Sequence, residues 1–273
     1  MSINSFRLLN IIRNIFYFLF IFLPQEFKRF VSKTEHELNR LMKLSEKTAS
    51  INLTKSTDIK NIILKCIEVS KNISTYSSRM LLTDKNYSTN ASSEERLIGR
   101  WRATFIRPSK TYVTQEMLND EMGWEEDVWI FADKNQYINI GFWILVKKQE
   151  PMHEDANQNV LINNWIRLIN SESPISSRFY NYRKIQYLLV SYAPPSQSDE
   201  FTGTLFTKMD EKLKDICKIQ LWINTETFFI SKGIIQVEGY VDDEYIFFKD
   251  SIVFGGYNES VEINVPEEFQ VME

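Results

Sequence analysis

The chain predicts a mainly β protein with an N-terminal α-helical region, its strands closing into an antiparallel β-barrel, with a two-sheet β-sandwich as the alternative. Three observations carry that prediction. Aromatic residues make up 14% of the 273 residues, with 19 Phe, 12 Tyr and 6 Trp, and such side chains suit a half-buried pleated surface. From Leu97 onward, short alternating runs are separated by polar or Pro-containing breaks such as "KQEPMHEDANQ", "NSESPIS" and "APPSQSDE". No long amphipathic helix interrupts these runs, which disfavours a parallel βαβ architecture and favours an antiparallel one.

The elements follow in order. Residues 1–25 read as a hydrophobic, membrane-associated helix. Ile15 to Leu23 is wholly apolar, although a full span needs about 20 mostly apolar residues. The alternatives are a helix lying in the interface, one buried in an oligomer, or a signal peptide, for which no A-x-A-like cleavage site follows. Lys28, Arg29 and Lys33 follow the segment and Arg7 and Arg13 precede it. The positive-inside rule then puts the C-terminal part in the cytoplasm, anchored at the inner membrane, with a purely cytoplasmic location as the alternative. Residues 26–82 read as a helical region. Phe27, Phe30, Val31, Leu38, Leu41 and Leu44 recur at near-helical spacing. A second helix from about Asp58 to Lys71 gathers Ile59, Ile62, Ile63, Cys66 and Ile67 on one face. Such a face is buried against its own domain or used for self-association, so a homo-oligomer is expected.

Residues 83–96, "TDKNYSTNASSEER", are polar and aperiodic and read as a linker. The rest, 97–273, reads as the β domain, with strands at 97–106, 110–115, 127–133, 136–148, 159–169, 178–193, 201–208, 216–224, 227–241 and 244–254.

Charge and motifs exclude several functions. A net charge of −4 and a pI near 5.5 give no electrostatic basis for binding long nucleic acid. Cys66 and Cys217 lack metal or redox spacing, and two histidines, His36 and His153, cannot build a His-rich site. No metal and no cofactor is expected. GxSxG, P-loop and GxGxxG patterns are absent, so no catalytic residue is nominated and a non-enzymatic role is expected.

Two resemblances sharpen these expectations. Gly99-Arg100-Trp101, opening the first strand, resembles the start of calycin barrels, the group that holds lipocalins and fatty-acid-binding proteins. The resemblance implies that Trp101 plugs the closed end of a barrel, with Gly99 beside it and Lys249 of the last strand packed across the indole as a cation–π contact. A hydrophobic N-terminus followed by a calycin-sized β domain resembles the membrane-tethered β-barrel effectors of bacterial cyclic-oligonucleotide (CBASS) anti-phage signalling. That resemblance implies a barrel that binds a small ligand, a cyclic oligonucleotide in that family, and thereby controls self-assembly at the membrane in antiviral defence. From the residues, Trp143 and Trp165 are candidates to stack on a nucleobase. Tyr182, Arg183 and Tyr187 are candidates to grip an anionic, planar ligand. The competing expectation is a structural or protein-partner-binding β domain with no small-molecule ligand, and mid-strand aromatics that are plain core.

Overall fold

The computed structural model describes residues 25–43, 50–52, 56–85, 95–107, 110–119, 123–132, 135–139, 141–146, 162–194, 216–241 and 244–272. The chain divides into two compact units, residues 1–37 and 38–273. Helix α1 runs Gln25–Met42 and its last turn lies in the second unit. After it come β1 (Ser50–Asn52) and α2 (Ser56–Ser70). Six strands follow: β2 (Thr75–Asp84), β3 (Arg96–Ile106), β4 (Lys110–Asn119), β5 (Gly123–Ala132), β6 (Asn135–Asn139) and β7 (Trp143–Val146). Helix α3 (Ile162–Ser171) precedes β8 (Ser176–Tyr182), β9 (Ile185–Tyr192), β10 (Cys217–Asn224), β11 (Ile230–Val241), β12 (Glu244–Gly255) and β13 (Gln270–Met272).

The thirteen strands of the described residues join one sheet in the order β1-β8-β9-β10-β11-β12-β2-β3-β4-β5-β6-β7-β13. Two meanders, β2 to β7 and β8 to β12, are stitched together where β12 returns to pair with β2, Ile252 opposite Met80. Every pairing is antiparallel except that of β7 with β13. Among the described residues the two edges, β1 and β13, do not pair with each other, so the sheet they form is open. This corrects the expected closed barrel: the ladder ends in edges, and edges are what a barrel abolishes.

Strand alternation gives the sheet two faces. One face is covered by α2 and α3. Cys66 of α2 and Ile162, Trp165, Leu168 and Ile169 of α3 are buried against Tyr76, Met80, Phe105, Val190, Leu221, Ile235, Ile252 and Phe254. Ile59, Ile62, Ile63 and Ile67 pack on the same cluster, so the apolar face of α2 is spent inside the domain. That removes the basis for expecting self-association through it. The backbone N–H of Ile162 donates to the Tyr76 hydroxyl at 3.2 Å, tying the start of α3 to β2. On the opposite face, Leu38 and Leu41 of α1 pack with Tyr187, Leu189, Trp222 and Val253. Further along it, Ile263 of the C-terminal segment packs with Ile130, Ala132, Tyr137 and Leu145.

Several expected elements change. Of the expected strand 159–169, the described part from Ile162 onward is helix α3: Ile162, Trp165, Ile166 and Ile169 follow helical spacing and turn one side to the sheet. The segment 178–193 is two strands joined by Arg183 and Lys184, both at positive φ (51° and 68°). The segment 136–148 breaks into β6 and β7 at Gly141, whose φ of 99° suits glycine. Strand β2 begins inside 26–82, the segment read as helical, ends at Asp84 inside the expected linker, and occupies the middle of the sheet. The expected strand at 201–208 and the hydrophobic segment 1–24 lie outside the described residues.

Among the described residues no helix is long and apolar enough to cross a membrane. The membrane-tethered sensor needed both such a helix and a closed barrel holding a ligand. The sheet is open and its helix-covered face is filled by side chains, so the sensor reading, its inner-membrane placement and its antiviral role are withdrawn.

Candidate functional site

A surface that brings exposed aromatic and charged side chains together lies on β3, β4 and β5, on the face opposite α2 and α3. Its composition follows from alternation. In "GRWRAT", Trp101 and Ala103 turn to the helix-covered face, so Arg100 and Arg102 turn to the other. Register then sets the neighbours. Arg102 stands between Arg79 of β2 and Thr114 of β4. Arg100 stands opposite Glu116, which stands opposite Glu126 of β5. Tyr112 lies opposite Thr104, and Trp124 lies opposite Leu118.

Trp124 is 42% exposed and Tyr112 37% exposed, an unusual outlay of aromatic surface to water. The Arg100 guanidinium sits 5.1 Å from the centroid of the Trp124 ring and also forms an ion pair with Glu116. A planar cation over an indole face, held from the side by a carboxylate, is a pre-ordered pair. Burial, and then the charges of Arg102 and Arg100, push the Arg79 guanidinium below its usual range. Burial, and then the Glu126 carboxylate, push the Tyr112 hydroxyl up. Around Arg100 charge is thus sorted, with Arg79, Arg102 and Arg100 on β2 and β3 and Glu116 and Glu126 on β4 and β5, while Lys110 stands apart at the far end of β4 beside Ile106 and Ala132.

The residues expected to plug a barrel do not meet. Trp101 lies on the helix-covered face, level with Met80, and packs half-buried on the core cluster. Lys249 alternates with Asp250 and Ile252 and so lies on the opposite face, where it pairs with Glu95 at 3.3 Å. A sheet separates cation from indole. Gly99 has a different role: a Cβ there would stand 2.7 Å from the Trp101 ring and 2.8 Å from Met117 Sδ. The Gly-x-Trp motif seats an indole back along its own strand.

The five expected ligand residues are dispersed. Trp165 belongs to α3 and lies buried on the helix-covered face, its ring over Gly233, where a Cβ would come within 2.7 Å. Trp143, on β7, packs half-buried with the cluster of Ile130 and Leu145 on the other face. Tyr187 is fully buried under α1. Tyr182 packs at the rim of that cluster, with Arg183 5.5 Å from its ring. A surface groove of about 290 Å³ runs between β8 and β10, past Arg178, Leu189, Lys218 and Gln220, and includes none of the five.

Alternation within one strand is enough to turn Arg100 and Arg102 to the side opposite Trp101, but Tyr112 and Trp124 lie on other strands. The signal was present: Tyr112, Thr114, Glu116 and Trp124, Glu126, Val128 alternate in step with the arginines. What was missing was the register that aligns three strands.

Nothing described nominates a reaction centre. Burial pushes the thiols of Cys66 and Cys217 up to about 12, which keeps both protonated and weakly nucleophilic. Asp250 is buried between Leu82 and Ile235 on neighbouring strands. No group of three or more His, Cys, Asp or Glu among the described residues is placed to hold a metal.

No family model matches the chain, and no curated protein matches it. Among solved structures, the chain is similar to a DUF1329 family protein from Desulfovibrio piger, at 5% identity and a TM-score of 0.28, over 74% of this chain and 92% of that chain. A likeness of that size bears on neither fold nor role. The calycin resemblance is corrected by the open sheet, and the resemblance to anti-phage effectors, which rested on the same barrel, falls with it.

Proposed function

We propose that this chain is a non-enzymatic, protein-binding β domain whose partner docks on the exposed face of β3 to β5. One observation carries the reading: Trp124 stands in water with Arg100 ordered over its ring, and Tyr112 is exposed on the neighbouring strand. Trp, Tyr and Arg are the residues that dominate binding energy at protein interfaces, because each couples a large apolar area to a polar or charged handle. Mounting them on the middle of a sheet holds their geometry before a partner arrives, which lowers the ordering cost of association.

The test compares full-length wild type with Trp124→Ala and with Tyr240→Ala, a control on the exposed Tyr240 of β11. Each is purified under matched conditions and its co-purifying proteins are quantified by mass spectrometry. A protein retained by wild type and Tyr240→Ala but lost from Trp124→Ala supports the reading. The same set on all three overturns it.

A further inference from the structure

We infer that the partner of this surface is a bipolar protein segment: one carboxylate to meet Arg102, one cation to meet Glu126, and an apolar side chain just beyond the cation to lie on Trp124. The inference rests on the proposed docking face and adds the chemistry of what docks there.

The argument begins with register. Arg79 and Arg102 are direct cross-strand partners, and so are Glu116 and Glu126. Like charges directly opposite each other destabilise a sheet, yet this face carries two such pairs side by side. Arg100 and Glu116 relieve one another across the boundary. That leaves Arg102 and Glu126 on either side of that pair, and no described residue forms an ion pair with either. Both are exposed. The surface therefore offers one cationic and one anionic contact, with Trp124 two residues beyond Glu126 on the same strand and face.

Their separation follows from sheet geometry. Glu126 lies two strands across from Arg102 and two residues along, which places the two backbone positions about 12 Å apart. An extended segment reaches that distance in about four residues. A uniformly acidic partner would be drawn to Arg102 and repelled by Glu116 and Glu126; a uniformly basic one would meet the reverse. Sorting of this kind selects for register and partner identity.

A random twelve-residue peptide library displayed on phage, selected against the full-length chain, tests this. Enriched peptides carrying both an acid and a base, with an apolar residue on the far side of the base from the acid, are the expected result. Synthesised singly, such peptides bind wild type and lose about tenfold or more in affinity to Arg102→Glu and to Glu126→Lys. Added salt weakens their binding to wild type. Enriched peptides that are acidic only, or whose affinity is unchanged by Glu126→Lys, overturn the bipolar chemistry while sensitivity to Trp124→Ala leaves the docking face standing. No enrichment, or binding insensitive to Trp124→Ala, overturns both.

Discussion

Lys232 and Asp250 are buried opposite charges on neighbouring central strands, and the sheet keeps them apart. Lys232 stands opposite Val253 on one face, while Asp250 stands opposite Ile235 on the other. The Lys232 ammonium donates to the Met42 carbonyl at 3.0 Å and lies 5.9 Å from the Trp222 ring. Asp250 Oδ1 has no hydrogen-bond partner. Neither charge offsets the other, and each leaves a signature in the pH dependence of stability.

Burial raises the Asp250 carboxyl from 3.8 to about 7. Its favourable contribution is complete below about pH 4, where both states are protonated. That contribution is lost as pH rises through about 7, because the unfolded chain ionises first. The loss reaches at most about 4 kcal/mol, three pKa units at 1.36 kcal/mol each. Asp250→Asn is expected to abolish this decline, so that urea unfolding at pH 5 and pH 8 differs less in the variant than in wild type. An unchanged pH profile would show that Asp250 is solvated.

Lys232 shows the opposite sign. Burial, and then the nearby Lys249, lower its ammonium from 10.5 to about 8. The neutral amine is favoured in the fold, so its contribution is present above about pH 10.5 and lost as pH falls through about 8. Lys232→Met is expected to stabilise at pH 7 by about 1–2 kcal/mol, after about 1 kcal/mol is surrendered with the bond to Met42. By pH 10 the advantage shrinks. Paired denaturation curves at the two pH values decide it; equal gains at both would contradict the buried ammonium.

Gly233 exists to admit the Trp165 ring, since a Cβ would stand 2.7 Å from two of its carbons. Gly233→Ala is expected to cost about 1–3 kcal/mol by overpacking. Combining it with Trp165→Leu should cost less than the sum of the single changes, because the two residues share one space. Additive losses in thermal unfolding would mean that the ring moves aside freely.

The β8–β9 hairpin turns on Arg183 and Lys184, both left-handed without being glycine or asparagine. A left-handed L-residue costs about 1–2 kcal/mol. Arg183→Asn together with Lys184→Gly is expected to raise the melting temperature by relieving that strain, since Asn-Gly fits this two-residue turn. A lower melting temperature would show that the Arg183 contact with Tyr182 outweighs it.

That hairpin also shows where the sequence is opaque. "FYNYRKIQYLLVSY" alternates without an Asn-Gly or Asp-Gly to mark the reversal, so one long strand and two short ones look alike. In α3, "INNWIRLINS" carries helical and strand-like spacing at once, and only its seat on Gly233 separates them. Strands β3, β10 and β12 were legible within a residue or two at each end, because each alternates cleanly between polar or glycine-bearing breaks. The candidate site was half legible: the outward pairing of Arg100 and Arg102 could be read from one strand, but Trp124 and Glu126 join them only through the β4–β5 register.

The amino-acid pattern alone determined that this chain makes an antiparallel sheet, which strand positions are apolar, and that Arg100 and Arg102 share a side. Local alternation and turn chemistry suffice for that, because they act over a few residues. Tertiary structure decided whether the sheet closes, which face the helices cover and which charges become neighbours. Those outcomes depend on pairings between distant strands, such as β12 with β2, whose side chains read the same in sequence whether the edges meet or stay apart.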